Sequence, residues 1–117
     1  MRFFNYNEFD SPDIPGSGHN MDDDFLAMLD RAREASGVAF RITSGFRSPA
    51  WNRKVRGVKN SSHLRGYAAD VACTDSETRA NIIAGAIEAG FTRIGIASTF
   101  VHLDNDPEKS EPRVWLY

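Results

Sequence analysis

Two histidines and an aspartate stand out among the residues that could do chemistry. His63 and Asp70 fall within SSHLRGYAADV (61–71), a run of small and apolar residues, and His102 lies in the apolar run TFVHLDN. Zinc takes imidazole nitrogens and carboxylate oxygens as ligands, and a catalytic zinc keeps one position open for water. Gly66 lets the chain bend between His63 and Asp70, and a neighbouring strand can deliver His102. A single histidine in such a position is usually a satisfied, half-buried residue, so it is the combination that indicates a metal site.

The elements that must position these residues are predicted from periodicity and turn signals. Asn20 can cap a first helix, acidic residues fill its first turn and Gly37 ends it. Asp75 or Ser76 can cap a later helix that Gly90 ends. The predicted helices cover 20–37, 48–55 and 75–90, and the predicted strands cover 38–45, 67–73, 91–98, 100–106 and 113–117.

Helices and strands mix in this order without regular βαβ alternation, so the predicted fold class is α+β. A chain of 117 residues fits one small domain, residues 1–117. Residues 1–20 form a loop-rich N-terminal arm in which His19 has the surroundings of a surface residue. The aromatic residues of the arm should pack on the body of the domain, namely Phe3, Phe4, Tyr6 and Phe9.

Composition excludes several classes of function. A net charge of −2 does not suit a global nucleic-acid binder. The single cysteine, Cys73, cannot form an internal disulfide, and no CxxC metal pair exists. No apolar run approaches the roughly 20 residues that a membrane span needs. The N-terminus lacks the features of a signal peptide, so we expect synthesis in the cytoplasm and, for a function outside, release by another route.

Three motifs in order give the sequence a family resemblance. SSHLRGYAADV matches S-x-H-x-x-G-x-A-x-D, ITSGFRSPAWN lies upstream of it, and FVHLD lies downstream. From about Phe9 to Asp104 the chain resembles the zinc D-Ala-D-Ala metallopeptidases. That family includes D,D-carboxypeptidases and dipeptidases, cell-wall endopeptidases and many phage endolysin-type enzymes. The resemblance implies a fold shared with the hedgehog signalling domain, with helices packed on a mainly antiparallel sheet.

The same resemblance implies roles for individual residues. His63, Asp70 and His102 would bind one zinc ion per chain. Arg47, in the S-G-[FY]-R motif, would polarise the scissile carbonyl or hold the substrate, and Ser61 could hydrogen-bond the substrate.

The chain departs from the family pattern at the position of the general base. Many members carry Glu or Asp three residues before the last zinc histidine, where this chain has Thr99. Asp104 points to the same face as His102 if the strand is regular, so it could be the base or could orient a zinc ligand. Weaker candidates for the base lie in the N-terminal arm, namely Glu8, Asp10 and Asp13.

Two functions from different classes remain open. The first is a zinc peptidase, a monomer, that hydrolyses peptide bonds of peptidoglycan with metal-activated water, as a D-Ala-D-Ala carboxypeptidase or as an endopeptidase of phage-lysis type. The alternative is a non-catalytic, zinc-stabilised binding or structural module, such as a phage virion component. Thr99 favours the alternative somewhat, whereas Arg47 and Ser61 favour the enzyme, because a structural site has no need for groups that face a substrate.

Overall fold

A five-stranded sheet forms the centre of the computed structural model, which describes residues 1–117. Its order is β1-β2-β4-β3-β5, and every neighbouring pair is antiparallel except β3 and β5, which are parallel. The predicted α+β class is thereby confirmed. In chain order the strands are β1 Ile42–Ser44, β2 Ala68–Ala72, β3 Arg93–Ile96, β4 Phe100–Asp104 and β5 Arg113–Leu116.

Strand β1 is much shorter than the strand predicted over 38–45. It lies at the edge of the sheet, pairs only with β2, and its register shifts between Ile42 and Ser44. An irregularity of this kind interrupts the ladder of hydrogen bonds, and an edge strand has no second partner to restore it. The alternating sequence therefore overstated the length of the strand.

Three α-helices accompany the sheet. The two long helices pack against each other, and Gly85 permits the close approach, because a Cβ atom at this position would lie 2.5 Å from the carbonyl oxygen of Ala32. Their apolar side chains form one core with those of the strands, including Leu29, Ile82 and Leu103. The helices are α1 Asp23–Ser36, α2 Pro49–Lys54 and α3 Ser76–Ala89. None of them has both the length and the apolar character that a membrane crossing requires.

The prediction that Asn20 caps the first helix is wrong. Asn20 ends a short 3₁₀ turn, and the cap is Asp22, whose Oδ2 accepts a hydrogen bond from the backbone N–H of Phe25 at 2.9 Å. The backbone N–H of Asp22 donates to the carbonyl of Gly66 at 3.0 Å, so a tertiary contact fixes where the helix begins. Asp75 caps α3, and Gly37 and Gly90 end α1 and α3 in left-handed conformations.

The N-terminal arm packs on the domain as predicted. Phe4 and Phe9 are buried in the core, with ring centroids 5.5 Å apart. The carbonyl of Phe9 accepts a hydrogen bond from the backbone N–H of Phe46 at 2.8 Å. The arm therefore supports the segment that follows β1 and carries Arg47.

Candidate metal centre

The face of the sheet turned away from the long helices carries the polar residues. Alternation along β2 and β4 sends Ala69, Val71, Val101 and Leu103 into the core, and their sequence neighbours to the opposite face. Asp70 and His102 are cross-strand partners on that opposite face. Directly paired residues of antiparallel strands bring their side chains together, so the sheet register itself creates the contact.

His63 reaches the same place from a 3₁₀ turn, Ser62–Arg65, that precedes β2. Gly66 ends this turn with φ of 80°, a conformation that favours glycine. A Cβ atom at Gly66 would lie 2.4 Å from the carbonyl oxygen of Asn20, so the arm leaves no room for a larger residue. The bend predicted between His63 and Asp70 is therefore present.

The three predicted ligands meet at one point. Oδ1 of Asp70 lies 3.3 Å from Nε2 of His63 and 3.0 Å from Nδ1 of His102. One ligand atom from each residue lies within 4.8 Å of the others, and all three residues are buried. No fourth histidine, cysteine or acidic residue joins the group. The donor set therefore fits a site with three protein ligands and an open position.

Hydrogen bonds on the far side of each imidazole fix which nitrogen faces Asp70. Nδ1 of His63 lies 2.8 Å from the carbonyl oxygen of Gly45, and Nε2 of His102 lies 2.7 Å from Oδ2 of Asp104. Both oxygens are hydrogen-bond acceptors, so the nitrogens facing them carry the protons and neutral imidazoles turn their unprotonated nitrogens towards Asp70. With both rings neutral, three electron-pair donors face one another, which is repulsive unless a proton or a metal ion lies among them. A divalent metal satisfies all three at once, whereas a single proton does not.

The ionisation states of Asp70 and His63 also suit a metal. Burial would raise the pKa of Asp70, but the neighbouring His102 and His63 rings outweigh burial and lower it. Burial lowers the pKa of His63 against the opposing effect of Asp70. Burial acts in the same direction on His102, but the hydrogen bonds to Asp104 and Asp70 outweigh it and raise the pKa. An anionic Asp70 and a neutral His63 are the forms that bind a metal ion.

Arg47 lies beside the three candidate ligands. Its Nη2 is 3.6 Å from Oδ2 of Asp70, the carboxylate oxygen that does not face the histidines. Its Nε donates to Oγ of Ser44 at 3.0 Å and its Nη1 donates to Oδ1 of Asn52 at 3.1 Å. The side chain is only 15% exposed, so the guanidinium is held in one position before any substrate arrives.

Asp104 lies on the side of the His102 ring that is opposite to Asp70. Its Oδ2 accepts a hydrogen bond from Nε2 of His102, and its Oδ1 accepts a hydrogen bond from Nε of Arg93 at 2.7 Å. Burial would raise the pKa of Asp104, but His102 and Arg93 outweigh burial and lower it. With the side chain 1% exposed and both oxygens engaged, Asp104 fixes the orientation of the His102 ring.

Comparison with known families agrees with this geometry. The family model described as Peptidase M15 matches residues 8–104. The chain belongs to the M15 peptidase family. The predicted resemblance to zinc D-Ala-D-Ala metallopeptidases is thereby confirmed over the span expected for it. No curated protein is similar enough to add a named relative.

Ser61 and Thr99 are placed differently from the ligands of this M15 domain. Ser61 is 4% exposed, and its Oγ accepts a hydrogen bond from the backbone N–H of His63 at 3.2 Å, so it begins the turn that carries the histidine. A hydrogen bond from Ser61 to substrate stays a prediction. Thr99 is exposed in the tight turn between β3 and β4, and its hydroxyl cannot serve as a base.

The acidic residues of the arm have other partners. Asp10 accepts hydrogen bonds from the backbone N–H groups of Gly16 and Gly18, and Asp13 accepts from the hydroxyls of Ser11 and Ser48. Oε2 of Glu8 accepts from the backbone N–H of Asn5, also within the arm. None of the three acids belongs to the group around Asp70.

Two aromatic residues near the candidate metal centre were not predicted. A cavity of about 240 Å³ beside His102 and Asp104 is lined by Trp115 and Tyr117 of the last strand and its end. Trp51 and Tyr67, which the sequence suggested as equally suited to the cleft or to the core, do not line this cavity. The alternation in RVWLY places Trp115 and Tyr117 on one face, but it does not say that this face adjoins His102.

Proposed function

We propose that this M15 protein is a zinc-dependent peptidase that hydrolyses peptide bonds in peptidoglycan. Membership of a peptidase family supports hydrolysis of a peptide bond. The observation that carries the proposal is the meeting of three ligand atoms, and no fourth, beside a fixed arginine. A purely structural zinc site is usually closed by four protein ligands and needs no such cation at its edge.

Nε2 of His63, a carboxylate oxygen of Asp70 and Nδ1 of His102 would hold the zinc ion. When bound, zinc makes a water molecule more acidic and polarises a carbonyl oxygen. Asp104 keeps the His102 ring in the orientation that presents Nδ1, and Gly45 does the same for Nε2 of His63.

Arg47 supports the reaction with charge. Its guanidinium is anchored by Ser44 and Asn52, so it needs no rearrangement when negative charge develops on the scissile carbonyl oxygen. Its contact with Asp70 is long, at 3.6 Å, which leaves N–H groups available for substrate. Burial lowers the pKa of Arg47 while Asp70 raises it, and the group stays cationic at neutral pH.

Asp104 lies behind His102 and has no free oxygen with which to act as the general base. Both oxygens of Asp104 already have partners, which favours the orienting role over that of base. Thr99 also leaves open a second function, a zinc-stabilised binding module without catalysis. The fixed position of Arg47 favours the enzyme over that alternative.

Peptidoglycan as substrate, and action at the cell wall by a phage-lysis type of enzyme, rest on the motif resemblance. Whether the scissile bond is a D-Ala-D-Ala bond or one within a stem or cross-bridge depends on the cleft.

Four cationic side chains follow α2 or lie within it, and they suit a peptide rich in carboxylates. They are Arg53, Lys54, Arg56 and Lys59.

The experiment that tests the proposal combines metal analysis with an assay. Zinc content of the purified protein is measured, and purified peptidoglycan is incubated with the protein with and without a chelator. We expect about one zinc ion per chain and release of new amino groups that the chelator abolishes. Mass analysis of the fragments then identifies the bond. One zinc ion per chain with no cleavage of any wall type would support the binding module instead.

A further inference from the structure

One row of paired residues crosses the sheet through the metal centre. Ser44 of β1 pairs with Asp70, Asp70 with His102, His102 with Gly95, and Gly95 with Trp115 of β5. Arg47 follows β1, so it lies towards one end of this row, and Trp115 lies at the other. The three ligand atoms lie between the arginine and the aromatic residue, where a substrate has to lie as well.

Gly95 allows the aromatic residues to reach the centre. A Cβ atom at this position would lie 2.6 Å from Nε1 of Trp115 and 2.8 Å from Cε2 of Tyr117. Both rings therefore lie over the backbone of β3 in space that any other residue would fill. The Trp115 ring approaches the His102 ring with centroids 5.5 Å apart. Trp115 and Tyr117, together called the aromatic wall below, line the cavity beside His102.

The position of Tyr117 is fixed by the sheet and by a neighbouring ring. Its backbone N–H donates to the carbonyl of Ile96 at 3.0 Å, and its ring centroid lies 5.1 Å from that of Phe100. The residue is 68% exposed, so a bound peptide can reach it. Partial burial of the phenol, and the negative charge on Asp70, raise the pKa of Tyr117 above its usual value. The hydroxyl is therefore a proton donor at neutral pH.

We propose that the aromatic wall binds the peptide substrate, with Trp115 as an apolar surface and the Tyr117 hydroxyl donating a hydrogen bond to a backbone carbonyl oxygen. The identity of the ligand as a peptide rests on the proposed function. A phenol can donate as well as accept a hydrogen bond, and the exposed Tyr117 can turn its proton towards the substrate. Arg47 holds the substrate from the side of β1, and the aromatic wall holds it from the side of β5.

The first test removes only the hydroxyl. Tyr117→Phe should lower kcat/KM for peptidoglycan fragments about three- to tenfold, the effect of one neutral hydrogen bond, and should leave the zinc content unchanged. Tyr117→Ala should lower it further, because the ring is lost as well. Tyr6→Phe is the matched control, since the Tyr6 hydroxyl donates to Asp23, a residue of α1. Wild-type kcat/KM in Tyr117→Phe, or loss of zinc from it, would overturn the proposal.

The second test measures binding of the peptide directly, by fluorescence. The chain has two tryptophans, so Trp51→Phe leaves Trp115 as the only one. A soluble stem peptide released from purified peptidoglycan is titrated into this variant, and we expect a saturable change in Trp115 fluorescence. Introduction of Tyr117→Phe should weaken this binding by the same three- to tenfold factor.

The two tests distinguish a failure of the aromatic-wall proposal from a failure of the proposed peptidase function. Saturable binding without hydrolysis by the wild type would refute the peptidase while supporting the aromatic wall. If Trp51→Phe hydrolyses peptidoglycan but its fluorescence does not change when the stem peptide is added, the aromatic-wall proposal is wrong and the peptidase function is retained. Absence of hydrolysis together with absence of a fluorescence change would contradict both proposals.

Discussion

His102 lies between two carboxylates, with Nδ1 3.0 Å from Asp70 and Nε2 2.7 Å from Asp104. The two acids therefore act on opposite sides of one ring. Asp70 shares the candidate metal position with the ring, whereas Asp104 sets which nitrogen is presented to that position. Arg93 completes the arrangement by holding the other oxygen of Asp104 at 2.7 Å.

Replacement of Asp104 distinguishes an orienting acid from a base. In Asp104→Asn we expect zinc affinity to fall about 10- to 100-fold, because the ring of His102 loses its anionic partner. Excess zinc should then restore much of the turnover. The measurements are zinc titration and kcat at saturating zinc, with exposed Asp24→Asn as the control. Unchanged zinc affinity together with lost turnover would instead identify Asp104 as the base.

Replacement of either histidine ligand tests the site itself. His63→Ala and His102→Ala should each lose bound zinc and hydrolysis together, since two remaining ligands hold zinc weakly. His19→Ala is a suitable control, because this exposed histidine stacks on Tyr6 at 4.2 Å and has no place in the site. Zinc per chain is measured after dialysis. Stoichiometric zinc in both ligand variants would contradict the assignment.

Much of this site could be predicted because it depends on local patterns. His63, Gly66 and Asp70 occur within one short segment, and alternation within β2 decides which side Asp70 faces. His102 could be added because a strand histidine needs only a neighbouring strand to meet Asp70. The order of three motifs then identified the family, which the match over residues 8–104 confirms.

The rest depends on pairings between distant parts of the chain. Asp104 acquires its partner Arg93 only through the register of β3 and β4, and the Trp115 side chain reaches His102 only because β5 joins β3 in parallel beyond Gly95. The cap of α1 shows the same limit. Asn20 and Asp22 are both good capping residues, and the distant carbonyl of Gly66 decides between them.

The hydrogen bonds of Asp13 make stability depend on pH. Hydrogen bonds from Ser11 and Ser48 lower the pKa of Asp13 below its usual value of 3.8. A lowered pKa in the folded state means that Asp13 stabilises the fold above about pH 4, and that the contribution disappears as pH falls through the folded pKa. Urea unfolding should therefore show Asp13→Asn as less stable than the wild type near pH 7, with the difference shrinking below about pH 3.8. A difference that stays constant with pH would contradict this origin, and Asp24→Asn serves as the control.

Replacement of Arg47 tests whether the site is catalytic. In Arg47→Ala we expect kcat to fall about 100- to 1,000-fold, the usual effect of removing one group that stabilises an oxyanion. Zinc content should stay near one per chain, because Arg47 is not a ligand and its contact with Asp70 is long, at 3.6 Å. Arg47→Lys should recover only part of the loss, because an ammonium group cannot donate to Ser44, Asn52 and a substrate with the geometry of a guanidinium.

The matched control for Arg47 is Arg31→Ala, which removes an exposed arginine of α1, on the helix side of the domain. Zinc content, kcat and the urea midpoint are measured for all three variants. Loss of zinc or of folding in Arg47→Ala would show that the arginine maintains the site rather than acting in the reaction. Wild-type kcat in Arg47→Ala would remove the main support for catalysis and leave a zinc-binding module as the better description.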